Sequence, residues 1–161
     1  MCKTENTYKN TGAWGLKEGE KMDRNKQIDV FNIFHDGTIS DLYRTKNSLI
    51  LKIEIEYLAE LINENFSCFY CELVNCEKFS FKFWSDENKG TTDLEEIKNY
   101  VLEIMDTKLS GEELIVSCRN DEIPDGNLYI KTQIIKLFNQ ERLEISLNEL
   151  SVICHSYWNK Q

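Results

Sequence analysis

Over residues 48–57 an apolar side chain falls on every second position. Leu49, Leu51, Ile53, Ile55 and Tyr57 share one face, while Lys52, Glu54 and Glu56 share the other. A period of two is the signature of an extended strand with one buried and one wet face. Strands of that kind belong to antiparallel sheets, since parallel sheets are covered on both sides. Residues 38–44 alternate more weakly, and Thr45-Lys46-Asn47 reads as the turn between the two runs.

The pattern recurs. Residues 68–74 and 78–84 pair across Asn75, with Phe69, Cys71 and Leu73 opposing Phe79, Phe81 and Phe83, and with Lys78, Ser80 and Lys82 facing outward. Tyr100, Leu102 and Ile104 alternate again, as do Leu114, Val116 and Cys118. Leu128, Ile130 and Ile134 form a further strand, and Ile135, Leu137 and Phe138 mark a phase change or a bulge. Residues 85–92 and 120–127 read as polar loops, the second holding the single proline. Tyr57, Leu58, Leu61 and Ile62 fit a short helix, and Asp93 can cap another through Lys98. At the C-terminus Ser146-Leu147-Asn148-Glu149 is a capping box, followed by an apolar stripe of Leu150, Ile153, Cys154, Tyr157 and Trp158. The expected fold is α+β: about seven largely antiparallel strands, meander-like, arranged as a sandwich or half-barrel, with a C-terminal amphipathic helix.

At 161 residues the chain is long enough for one domain with a sizeable core. Lys and Arg number 19 against 28 Asp and Glu, a formal charge of −9. That balance argues against nucleic acid, whose phosphates demand clustered cations. Apolar runs are too short for a membrane span, and no secretion signal is visible, so a bacterial cytoplasmic location without membrane contact is expected. In that compartment the six cysteines are expected to be reduced and mostly buried. Abundant Ile, Lys and Asn with one Pro suggest a low-G+C bacterium or its phage.

Residues 1–21 lack periodicity and read as a flexible tail before a single domain over 22–161. Lys17-Glu18-Gly19 can be encoded by a purine-rich string resembling a ribosome-binding site, which would place the natural start at Met22. An ordinary polar tail is the other reading. The tail carries four Lys and three Glu, so without it the chain is more acidic by one charge.

Phe34-His35-Asp36-Gly37 is the most distinctive string. His35 with a carboxylate could serve acid–base chemistry, but adjacent residues on a strand face opposite ways. The structural reading makes Asp36-Gly37 a turn, in which Asp36 bonds local amides, Gly37 takes positive φ and the His35 side chain anchors it by a hydrogen bond. A metal phosphohydrolase needs more histidines than His35 and His155. Cys68, Cys71 and Cys76 resemble half a zinc site, yet Cys68 and Cys71 fall on opposite strand faces, so no metal or other cofactor is expected. Asp86, Glu87, Asp93, Glu95 and Glu96 are scattered without ligand spacing.

The Phe34-His35-Asp36-Gly37-Thr38-Ile39 string, the later Asn75-Cys76-Glu77-Lys78-Phe79-Ser80-Phe81 segment and the Tyr157-Trp158 ending resemble a group of small bacterial Phe-His-Asp-Gly proteins. Some of these resemble immunity proteins that accompany polymorphic toxins. The resemblance spans most of residues 31–158 and implies a role class, with no catalytic set to carry over. It points to a non-enzymatic interaction domain that neutralises a cationic toxin, contacted first through residues 85–92 and 120–127. Two alternatives stay open. One is a small-molecule pocket lined by Phe79, Phe81, Tyr157 and Trp158. The other is a hydrolase using His35 with a carboxylate.

Overall fold

The computed structural model describes residues 21–159, so the tail expected over 1–21 lies outside the described residues except for Lys21. The elements run α1 (Arg24–Ile33), β1 (Thr38–Arg44), β2 (Ser48–Glu54), α2 (Glu56–Ala59), β3 (Cys68–Val74), β4 (Lys78–Phe83) and β5 (Asp86–Thr91). They continue as α3 (Leu94–Tyr100), β6 (Leu102–Ser110), β7 (Glu113–Arg119), β8 (Gly126–Lys131), β9 (Ile134–Phe138), β10 (Glu144–Ile145) and α4 (Leu147–Asn159). The fold is α+β, with a mostly antiparallel sheet and a C-terminal helix.

All ten strands join one sheet in the order β10-β9-β3-β2-β1-β6-β7-β8-β4-β5. This is not the expected simple meander. β3 pairs with β9, while β4 pairs with β8, and the two ladders sit on either side of a corner. Val74 opposes Ile134 on one side and Lys78 opposes Lys131 on the other. β3–β4 and β8–β9 are thus two long strands, paired along their length and broken once. The order from β3 round to β4 therefore begins and ends on one stretch of chain. Three residues separate the two ends, about 10 Å apart if extended, so the sheet must curl.

α1 lies in that curl, packed against β6, β7, β9 and α4. Val30, Phe31, Ile33 and Gln27 are fully buried and Asp29 nearly so, while Asn25 is exposed and Ile28 and Asn32 are part-buried, so polar residues on the inner side and an Ile off it blur the apolar period. The helix was therefore missed from sequence. Its start is fixed by Asp23, whose carboxylate accepts from the Asn25 amide at 2.7 Å. Gln27 ties it to the corner: the Nε2 amide donates to the carbonyls of Met22, Thr132 and Gln133 at 3.1–3.4 Å. Thr132 O also accepts from Arg24 and Gln133 O from the Met22 amide, both at 2.7 Å, so the corner carbonyls are satisfied where the two long strands break.

Three further differences from the sequence reading have local causes. Residues 85–92 are not a loop: β5 pairs with β4, and Gly90 allows an approach so close that a Cβ there would lie 2.2 Å from the Phe81 carbonyl. The phase change at Ile135 is the corner itself, where Thr132 and Gln133 separate β8 from β9. β2 stops at Glu54, so Tyr57 belongs to α2. Half of the expected capping box forms: the Glu149 amide donates to Ser146 Oγ at 3.0 Å, and the Ser146 hydroxyl, not its backbone N–H, donates to the Glu149 carboxylate.

Of the described cysteines, Cys68, Cys71, Cys76 and Cys118 are free thiols. Cys154 is disulfide-bonded, which corrects the expectation that every thiol is reduced.

Candidate functional site

The Phe34-His35-Asp36-Gly37 string forms the turn that carries α1 into β1. Phe34 caps the helix, its amide donating to Val30 O at 3.2 Å, and the Gly37 amide returns to Phe34 O at 2.8 Å. Between them Asp36 takes φ 74°, a left-handed conformation that Asp tolerates better than most residues. Positive φ therefore falls on Asp36 and not on Gly37. Gly37 is needed for space: a Cβ there would lie 2.8 Å from Ile53 Cγ2 and 2.9 Å from Phe34 O. The turn is stitched to β6 by Asp36 N–H to Ile104 O at 3.0 Å and Ile104 N–H to Gly37 O at 2.8 Å.

Because the chain turns here, His35 and Asp36 do not point apart. Nδ1 of His35 lies 3.4 Å from Asp36 Oδ1. The two are close but make no hydrogen bond, and Nδ1 is shut from solvent without a partner. The side-chain anchor expected of His35 is thus not formed. The Asp36 side chain remains 51% exposed.

Tyr57 closes the group from α2. Its ring meets Tyr157 at 4.9 Å and Trp158 at 6.0 Å, and those two meet each other at 5.3 Å in an edge contact. Burial, with smaller repulsions from Asp36 and Tyr157, pushes the Tyr57 hydroxyl up to about 12. Trp158 Nε1 is buried without a hydrogen-bond partner. The fold thus brings the distinctive early string and the Tyr157-Trp158 ending to one place. Tyr57 was not singled out for this role, because a single aromatic residue ending a strand-like run carries no signal of its partners.

The four aromatics of the expected pocket separate. Phe81 packs with Phe83 and Tyr100, at 5.2 and 5.3 Å between ring centres, whereas Tyr157 and Trp158 pack on Tyr57. Phe79 and Phe81 line a cleft of about 720 Å³ beside β4, and neither Tyr157 nor Trp158 borders it. Trp84 is half exposed, its Nε1 donating to Asn127 Oδ1 at 2.7 Å.

The thiols are poorly placed for nucleophilic work. Burial raises Cys71 and Cys118 far above the ordinary thiol range and Cys76 to about 11, so the reactive thiolate is disfavoured. Among the described residues, no three His, Cys, Asp or Glu side chains gather as a metal site. The carboxylates weighed earlier have local tasks: Asp86 accepts from Asn88 N–H, Asp93 caps α3 and Glu96 accepts from Tyr100. No helix of the described residues is long and apolar enough to cross a membrane.

Comparison with family models, curated proteins and solved structures finds no match for this chain.

Proposed function

We propose that this chain is a non-enzymatic interaction domain that binds and blocks a cationic toxin protein, in the manner of immunity proteins. The observation that carries the reading is the half-exposed Asp36 carboxylate near Tyr57, against whose ring Tyr157 and Trp158 pack. Tyr and Trp dominate the energetics of protein interfaces, and a carboxylate beside them suits a partner's Lys or Arg. The −9 charge of the chain would steer such a partner and speed encounter. The shielded His35 Nδ1 and the protonated thiols favour binding over catalysis.

The test is to express the toxin domain encoded beside this chain, with and without it, and to measure growth and complex formation. Rescue of growth is expected, with an association rate that falls as salt rises. Asp36→Asn, which keeps the left-handed turn and removes the charge, should weaken the complex at least tenfold while leaving the melting temperature within a few degrees. A neighbouring toxin that is neither bound nor blocked, or the lack of any toxin gene there, removes the reading.

A further inference from the structure

Arg44 and the cation-bearing stretch 78–82, far apart in sequence, border one cleft. Arg44 from the end of β1 and Lys78 and Lys82 from β4 line it, together with Ser80, Gly90 and Thr92. The cleft measures about 720 Å³, room for a few extended residues. Its charges are unequally occupied. Lys78 is held by Glu113 at 2.6 Å, and Glu77, which also lines the cleft, is held by Lys131 at 3.2 Å. No carboxylate of the described residues lies within ion-pair distance of Arg44 or Lys82, and Lys82 Nζ instead sits 5.2 Å from the Tyr129 ring centre. Glu87 is the one lining carboxylate not held in such a pair.

The backbone along the cleft is also short of partners. β4 pairs with β8 over its whole length, but β5 covers only Phe81–Phe83 on the other edge. No strand of the described residues meets Lys78, Phe79 or Ser80 there. Trp84 N–H donates to Asp125 O across the β8 side. Hydrogen-bonding positions alternate along an antiparallel ladder, so Ser80 and Lys82 also bond toward β8. Phe79 and Phe81 then present N–H and C=O to the opposite edge. Phe81 meets Thr91 of β5, while Phe79 faces the cleft. Ser80 is 6% exposed and its hydroxyl has no hydrogen-bond partner.

We propose that this cleft takes an extended, acidic peptide segment of a partner protein, which adds a short strand to the free edge of β4 and sets its carboxylates against Arg44 and Lys82. Backbone groups supply the affinity in such strand addition, and flanking side chains supply the choice of sequence. The acidity of the chain as a whole does not forbid this. At physiological salt, charges beyond about 8 Å are largely screened, so the cations lining the cleft govern a bound segment. This surface differs in place and sign from the Asp36 cluster, so the inference is independent of the toxin-blocking reading.

The experiment uses the full chain and an end-blocked, fluorescently labelled hexapeptide of alternating Glu and Thr. Its comparators are the Lys-Thr counterpart, a version N-methylated at alternate residues, and citrate as competitor. The Glu peptide should bind at least tenfold more tightly than the Lys peptide, N-methylation should cost at least tenfold, and citrate should not displace it. Arg44→Glu with Lys82→Glu should lower affinity at least tenfold. Arg44 is exposed, so Arg44→Glu alone keeps the test readable if the Lys82 change disturbs Tyr129. Equal binding of both peptides, or none, overturns the proposal. Indifference to N-methylation, or displacement by citrate, overturns strand addition in favour of a simple anion site.

Discussion

The Tyr57 hydroxyl donates to the carbonyl oxygen of His35 across 3.5 Å, joining the start of α2 to the turn that ends α1. Burial raises the Tyr57 hydroxyl first, and the Asp36 carboxylate adds to it. The folded protein therefore keeps this proton at pH values where the unfolded chain, near 10, has lost it. Stability from this group is complete below pH 10 and is lost as pH rises through about 12. Asp36→Asn should lower the Tyr57 midpoint while leaving it above 10, read by NMR titration of labelled tyrosine. An unchanged midpoint would show that the carboxylate does not act on Tyr57.

Two glycines should respond differently to alanine. Gly37→Ala drives a Cβ into Ile53 and Phe34 O, and overpacking of this kind costs about 1–3 kcal/mol. Gly111 has φ +63° with nothing within 4 Å of a new Cβ, so its cost is the left-handed strain alone, about 1–2 kcal/mol. Urea unfolding measures both. Gly37→Ala should also perturb the amide shifts of Ile53 and Ile104, and Gly111→Ala should not.

Gln27→Ala removes the donor to the Met22 carbonyl, while Thr132 O keeps Arg24 and Gln133 O keeps the Met22 amide. A buried group left unsatisfied costs about 1–3 kcal/mol, so the loss should fall in that range. Gln27→Leu, which restores apolar volume but no donor, should rescue only part of it.

Val101 ends α3 at φ 51°, a conformation that a β-branched residue adopts under strain. Val101→Gly should stabilise the protein by about 1 kcal/mol in urea unfolding, since glycine is the usual residue at such a helix end. A loss of stability would mean that the half-exposed valine packs in a way that outweighs its backbone strain.

Cys71 and Cys118 are shut in the core with their thiols held protonated. Near pH 8 a thiol reagent should leave them unmodified in the native protein and react with both on denaturation. Cys76, half-buried with its thiol near 11, should react slowly and between these limits. Fast native labelling of Cys71 would contradict its place in β3.

Much of this architecture was legible wherever one face of an element meets water. β2, β3, β7 and α4 showed their inner residues at the right period, because a half-buried element must alternate, whereas in β4 Ser80, expected to face outward, is buried. The elements that were missed break that condition. α1 buries Gln27 and Asp29 and leaves Ile28 part-exposed, which blurs its stripe, while β5 is polar throughout and forms because Gly90 lets it approach Phe81. The His35-Asp36 contact was misjudged from strand geometry, since the left-handed turn at Asp36 is set by the bonds to Ile104.

Sequence by itself determined an α+β chain, its antiparallel strands, its capped last helix and its acidity, all properties of nearest neighbours and of composition. Only the tertiary structure decided that two broken strands close the sheet around α1. It alone brought Asp36 near Tyr57 and Tyr57 against Trp158, and left the edge of β4 open beside Arg44. Those relations join residues tens of positions apart, and no local period encodes which distant backbone will satisfy a given hydrogen bond.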